Sequence, residues 1–257
     1  MSTALYDRVI FGPIHSRRLG LSLGVNLLPL NHKLCSFDCI YCECGWGEKR
    51  EKVRFNDRET VRKELEQRLT EMVEAGTPPD VITFAGNGEP TLHPDFGEII
   101  EDTIALRDRI APRAKVSVLS NATQIGRERV RAALLRVDNN ILKLDSAFDR
   151  TVRLVDRPRG NYSVAETVEN MKKFEGQLIV QTMFLRGEFE GKIVDNTTEE
   201  EVSAWLALIR EIAPRQVMVY TIDRSTPAEN LQKVTVEELK AIAARVEALG
   251  ITCSVAG

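Results

Sequence analysis

Val81-Ile82-Thr83-Phe84-Ala85 runs without a break into Gly86-Asn87-Gly88-Glu89-Pro90. A short apolar and β-branched run that opens into a glycine-rich turn reads as a buried strand and the loop at its end. Upstream, Asp57 to Gly76 carries Val61, Leu65, Leu69, Met72 and Val73 at three- and four-residue spacing. Asn56 with Glu59 forms a capping pair and Gly76 a stop, which predicts a helix. Downstream, a second helix is expected from about Pro94 to Ala111. A strand between two helices is the unit from which parallel sheets are wound.

The unit repeats along the chain. The predicted strands are Lys115 to Leu119, Ile141 to Leu144, Leu178 to Phe184 and Gln216 to Ile222. Between them lie predicted helices from about Gly126 to Val137, after Val164, from Thr198 to Ile212 and from Thr235 to Leu249. Leu21 to Leu28 is the first strand and Ile251 to Val255 a closing one, giving six βα units. Right-handed crossovers then imply a parallel α/β sheet. Six units are two short of a closed eight-unit barrel, so a partial (β/α)6 TIM-like barrel with a lateral mouth is expected. A doubly wound sheet has the same element pattern. No Pro/Gly/Ser linker divides the chain, so residues 1–257 read as one domain, with an N-terminal arm of about 20 residues outside the alternation.

The 257 residues are 43% hydrophobic and 28% charged, with a net charge of −3. That composition gives an ordinary globular core and argues against a generic nucleic-acid binder, which carries a basic excess. No apolar run is long enough to span a bilayer. The start shows no basic stretch followed by an apolar segment, so a cytoplasmic protein with reduced cysteines is expected.

Four of the five cysteines lie between positions 35 and 44. Cys35, Cys39 and Cys42 have the spacing C-x3-C-x2-C, on the loop after the first strand, where parallel α/β folds place their active sites. Structural zinc takes four protein ligands, and iron–sulfur clusters normally take four thiolates. Three thiolates leave one position open for chemistry. The alternative is a non-catalytic zinc module closed by Cys44, which stands very near Cys42 for that purpose. Cys253 is a small buried residue, with hydrogen-atom donation as its minority reading.

C-x3-C-x2-C with Tyr41 just before the third cysteine, together with GNGEP after the second strand, resembles the signature of the radical S-adenosylmethionine superfamily. The superfamily's GGEP has Asn87 here in place of glycine. The resemblance implies a [4Fe–4S] cluster held by Cys35, Cys39 and Cys42, with S-adenosylmethionine (SAM) chelated by the fourth iron. It places Tyr41 against the adenine, and gives the backbone of Gly86, Asn87, Gly88, Glu89 and Pro90, with the Glu89 carboxylate, to the methionine amino group. Ser120 and Asn121 would meet ribose or carboxylate, and Asp145 ribose or substrate. It further implies reductive cleavage to a 5′-deoxyadenosyl radical, with flavodoxin or ferredoxin as electron donor.

A narrower resemblance is to proteins related to tRNA wyosine synthesis. It is carried by Phe11 to Gly24 (FGPIHSRRLGLSLG), Leu144-Asp145, Arg157-Pro158 and Val219 to Arg224 (VYTIDR). Wyosine synthesis uses a second cluster held by cysteines in the N-terminal arm, whereas this chain has no cysteine before Cys35. A nucleotide-like or RNA substrate is the expectation, and a glycyl-radical activator acting on a partner protein is the rival. Arg17-Arg18 and the set Arg150, Arg153, Arg157 and Arg159 are candidate anion clamps or solvated surface charges. Gln181 and Met183 are core residues, with Gln181 a candidate cavity liner. His15, His32 and His93 are too scattered for a metal site, and His93 is expected to pack or cap the following helix.

Overall fold

The computed structural model describes residues 5–16, 19–47 and 53–257. The chain begins with β1 (Ile10–Ser16) and β2 (Gly20–Val25) and then alternates. In order come α1 (Arg58–Glu74), β3 (Val81–Phe84), α2 (Phe96–Ile110), β4 (Lys115–Ser120), α3 (Glu128–Leu134) and β5 (Asn139–Lys143). Then follow α4 (Asp149–Val155), α5 (Val164–Lys172), β6 (Ile179–Met183), β7 (Leu185–Phe189) and β8 (Lys192–Asp195). The chain ends with α6 (Glu199–Ile212), β9 (Gln216–Tyr220), β10 (Leu231–Lys233), α7 (Val236–Glu247) and β11 (Thr252–Ala256).

The main sheet has the order β1-β2-β3-β4-β5-β6-β9-β11, parallel from β2 onward. That order separates the two architectures the sequence left open. A doubly wound sheet reverses its strand order at a switch point. Here each new strand is added on the same side of the last, so right-handed crossovers send every helix to one face. The result is the open, partial (β/α)6 barrel, with β11 as the extra closing strand.

Period-2 alternation sorts the strand residues between two cores. Leu23, Val25, Ile82, Phe84, Val116, Val118, Leu142, Val180, Val217 and Val219 join the helix residues Leu65, Leu69, Ile99, Ile100, Met171 and Ile209 in one buried cluster. Burying each such aliphatic side chain stabilises by roughly 1.5–3 kcal/mol. The alternate residues Ile141, Ile179 and Met218 pack together on the concave side. Trp205 fastens α6 across β5 and β6, its indole N–H donating to Leu144 O and Thr182 Oγ1, both at 3.1 Å.

One local reading is corrected. The cap of α1 is Asp57, whose Oδ1 accepts from Thr60 N at 3.0 Å. Asn56 is turned the other way, its Nδ2 donating to Asn26 O and Leu28 O at 2.8 Å, so it ties the helix start to the end of β2. Part of the N-terminal arm forms β1, an antiparallel edge strand on β2 outside the parallel alternation. Gly12-Pro13 interrupts its alternation where the register shifts between Phe11 and Ile14, and proline is tolerated only at such edges and bulges. A second, three-stranded sheet, β10-β7-β8, was not anticipated. Its β7–β8 hairpin turns at Glu190-Gly191, both at positive φ (51° and 72°), as a twist-matched two-residue turn requires.

Candidate active site

The cysteine loop and the GNGEP loop are joined through their backbones. Leu34 N donates to Asn87 O at 2.8 Å, and Glu89 N donates to Leu34 O at 3.1 Å, making a parallel bridge between Leu34 and Gly88. Gly88 has φ +139°, and a Cβ there would stand 1.8 Å from Leu34 O. Gly86, at φ +130°, would place a Cβ 2.5 Å from Asn26 Oδ1. The two glycines therefore let one loop lie directly on the other. The asparagine between them is fully buried and points elsewhere. Asn87 Nδ2 donates to Tyr6 O (2.9 Å) and Pro29 O (2.8 Å), while its Oδ1 accepts from Tyr6 N (2.8 Å). The Asn87 side chain thereby holds the N-terminal segment through both polar groups of the Tyr6 backbone. Pro90 opens a single 3-10 turn, Pro90–Leu92.

The cysteine loop is pinned to the end of α4 by Ile40 N on Val155 O (2.9 Å) and Asp38 N on Asp156 O (2.9 Å). Cys39 is buried, whereas Cys35, Cys42 and Cys44 are half-buried. Asn121 Nδ2 donates to Cys35 Sγ at 3.5 Å and to Ser36 Oγ at 2.9 Å, and the Cys39 thiol donates to Asp156 Oδ1 at 3.3 Å. Burial pushes Cys35 up to about 12 and Cys39 well above the ordinary thiol range. A hydrogen bond with Cys44, aided by Lys33, draws Cys42 down to about 6. Among the described residues, no three His, Cys, Asp or Glu side chains gather as ligands of a single metal ion.

Glu89 is 2% exposed and joins the ends of β3 and β4. Its Oε1 accepts from Thr91 N (3.1 Å), Ser120 Oγ (2.8 Å) and the Thr91 hydroxyl, and its Oε2 accepts from Asn121 N (2.6 Å). Burial raises its pKa against these four donors. Glu89, Ser120 and Asn121 are thus in direct contact, with Asn121 linking them to Cys35.

Tyr41 and Asp145 meet in a second buried network. The Tyr41 hydroxyl donates to Asp145 and, at 3.2 Å, to Asp156 Oδ1, and Lys143 donates to the same hydroxyl. Lys143 Nζ also donates to Asp145 Oδ2 at 3.0 Å, and Met183 N to Asp145 Oδ1 at 2.9 Å. Burial works against the Lys143 charge, but Asp145 and its other neighbours outweigh it and raise the pKa. Burial and the nearby Asp145 raise that of Asp156.

Lys33, Lys143 and Asp156 were missed. Each had a signal in its position: Lys33 two residues before Cys35, Lys143 on the same strand face as Asp145, and Asp156 beside Arg157-Pro158. Gln181 is 7% exposed and occupies the inward register of β6, between Ile179 and Met183.

The arginines are engaged as scaffolding. Arg157 lies 5.1 Å from the Trp46 ring and 5.0 Å from the Phe189 ring, and pairs with Glu190 at 3.2 Å. Arg159 donates to Gly47 O at 2.8 Å, Arg153 to Tyr162 O at 3.2 Å, and Arg150 pairs with Glu200 at 2.6 Å. A groove of about 940 Å³ is lined by these four arginines and Lys192, but equally by Asp38, Glu190, Asp195, Glu200 and Glu201, so its charge is balanced. The cysteines and GNGEP do not line it. Arg17-Arg18 lies outside the described residues. Cys44 Sγ faces Gly86 O at 3.4 Å. Cys253, half-buried on β11, packs against the main core cluster. His93 Nε2 bonds Asn56 O at 2.8 Å, consistent with a packing role.

Residues 32–197, more than half of the chain, match the Radical SAM superfamily. The chain belongs to the radical SAM superfamily and is an enzyme of that class. It is 31% identical over 242 residues to a UPF0026 protein of Methanocaldococcus jannaschii, covering 92% of this chain and 70% of that one. It is 29% identical over 240 residues to a protein named GTPase Obg of Brachyspira hyodysenteriae, covering 92% of this chain but only 33% of that one. The chain therefore spans about a third of the length of one of these relatives. Among solved structures, a radical SAM methyltransferase from Sphaerobacter thermophilus superposes with a TM-score of 0.68 at 14% identity, over 91% of this chain and 65% of that one. TYW1 with a lysine-pyruvate adduct bound does so with a TM-score of 0.64 at 14% identity, over 88% and 73%. Likeness at that identity is likeness of fold, and it agrees with the open barrel. Among the described residues, no helix is long and apolar enough to cross a membrane.

Proposed function

We propose that the chain binds a [4Fe–4S] cluster through Cys35, Cys39 and Cys42 and SAM beside it, and acts on a nucleotide-like or RNA substrate. The single observation that carries this reading is the Leu34–Gly88 bridge, which lays the GNGEP loop against the three-cysteine loop. The residues present suit such a group. A single zinc ion gathers its thiolates about 2.3 Å from one point, whereas a cluster takes one thiolate per iron and spreads them. A buried ammonium, Lys33, is held inside the cysteine loop by Asp38 and Gly45 O, and an amide N–H reaches Cys35. Both arrangements suit an anionic centre with hydrogen bonds to its sulfurs. When bound and reduced, the cluster supplies the electron that cleaves SAM to a 5′-deoxyadenosyl radical.

The chain's own contribution is positioning and exclusion of water. Glu89, fixed by Ser120, Asn121 and Thr91, ties the ends of β3 and β4 together beside the cysteine loop. The backbone of Gly86 to Pro90 faces the cysteine loop and is available to the methionine amino group. Tyr41 is oriented by Asp145 and Lys143, and its ring forms the wall on the adenine side. Flavodoxin or ferredoxin is the expected donor. Family membership sets aside the non-catalytic zinc module. The substrate class rests on the wyosine-related sequence stretches, with TYW1 among the structural neighbours.

The test is formation of 5′-deoxyadenosine by the anaerobically reconstituted, reduced protein, with bulk tRNA, mononucleotides or soluble protein added separately. Stimulation by RNA or nucleotides supports the reading. Stimulation by protein alone would replace it with the activator reading.

A further inference from the structure

Lys33 is 4% exposed, and its side chain lies inside the turn that carries the three cysteines. Its Nζ donates to Asp38 Oδ1 at 3.1 Å and to Gly45 O at 2.9 Å, one on each side of Cys39 and Cys42 in the loop. Asp38 is shared, since Arg159 lies 3.5 Å from its other oxygen. Asp38 is thus divided between a buried cation, Lys33, and an exposed one, Arg159. A buried ammonium is retained only against compensating negative charge. Asp38 supplies part of that charge, and the cysteine thiolates with what they hold would supply more.

We propose that Lys33 is a positioning residue for the cluster, whose buried charge holds the cysteine loop shut and makes the bound cluster easier to reduce. This role rests on the cluster reading above. Reduction adds one negative charge next to a fixed cation, which stabilises the reduced form more than the oxidised one. The bond to Gly45 O closes the loop behind Cys42, so one side chain links loop geometry to electron uptake. Asp38 opposes the effect by drawing off part of the Lys33 charge.

The test uses the full chain and its Lys33→Gln, Lys33→Arg and Asp38→Asn variants, each reconstituted anaerobically. Iron and sulfide are counted, and the cluster is titrated against redox dyes by its electron paramagnetic resonance signal. At the wild-type midpoint, Lys33→Gln should lower the ratio of reduced to oxidised cluster by roughly tenfold or more, as expected for losing one charge a few Å away in a partly screened site. Lys33→Arg should restore most of that ratio, and Asp38→Asn should raise it. If Lys33→Gln fails to load, the double variant Lys33→Gln/Asp38→Asn, which removes both charges of the pair, is titrated against Asp38→Asn and should hold a smaller share of reduced cluster. Loaded variants that all titrate with the wild type would overturn this role alone. A wild type that takes up no iron and sulfide overturns the cluster reading and this role with it.

Discussion

The carbonyl oxygen of Leu34 occupies the space that a side chain at position 88 would need, 1.8 Å from where the Cβ would stand. That contact brings the first two βα units together at the site. Leu34 belongs to the cysteine loop and Gly88 to the turn after β3, and the glycine is what lets their backbones pair.

Gly88→Ala should therefore separate the two loops while the rest of the barrel remains. Relieving a backbone clash at positive φ costs on the order of 1–3 kcal/mol. The expected result is a lowered melting temperature with native-like circular dichroism, and a loss of SAM binding by equilibrium dialysis. Binding at wild-type affinity would show that the bridge is not needed.

Asn87→Ala acts elsewhere. It removes hydrogen bonds to Tyr6 and Pro29 and leaves buried backbone groups without a partner, at about 1–3 kcal/mol each. Thermal denaturation should show the loss, and limited proteolysis should cut the N-terminal segment faster. Unchanged stability with lost SAM binding would instead place Asn87 in the cofactor pocket.

Cys39→Ala should abolish cluster assembly, measured as iron and sulfide per chain, with the circular dichroism spectrum retained. Cys44→Ala should keep full loading, because its sulfur faces Gly86 O and lies outside the three-cysteine spacing. Equal loss of iron in both variants would make Cys44 a ligand.

Metal uptake should be pH-dependent with a definite sign. Cys35, pushed up to about 12 by burial, and Cys39, raised further, are protonated at neutral pH. Ligation requires thiolates, so binding expels these protons and tightens as pH rises. Ferrous-ion binding followed anaerobically at pH 7 and pH 8.5, with a dye to detect released protons, should show both effects. Binding independent of pH and without proton release would contradict the assigned ligands.

Much of this was legible in the sequence. Helix periodicity and short apolar strands gave six βα units, and the two loop motifs named the place where they meet. What the pattern did not contain was strand order, which decided between barrel and doubly wound sheet through the placement of β9 beside β6. The β7–β8 hairpin escaped because Glu190-Gly191 lacks the usual Asn-Gly or Asp-Gly signal. Asn56 was misread because a side chain that tethers β2 looks, in sequence, like one that caps α1. Lys33, Lys143 and Asp156 are ordinary charged residues until the fold buries them. Only then do their contacts with the cysteine loop, Tyr41 and Cys39 give them meaning.

The most direct test of the central claim is made on anaerobically reconstituted protein, reduced with dithionite and mixed with SAM, with 5′-deoxyadenosine read by chromatography alongside the cluster's electron paramagnetic resonance. The account predicts that SAM perturbs the signal of the reduced cluster and that 5′-deoxyadenosine appears, both lost in Cys39→Ala. A fully loaded cluster whose signal ignores SAM, with no 5′-deoxyadenosine formed, would contradict it.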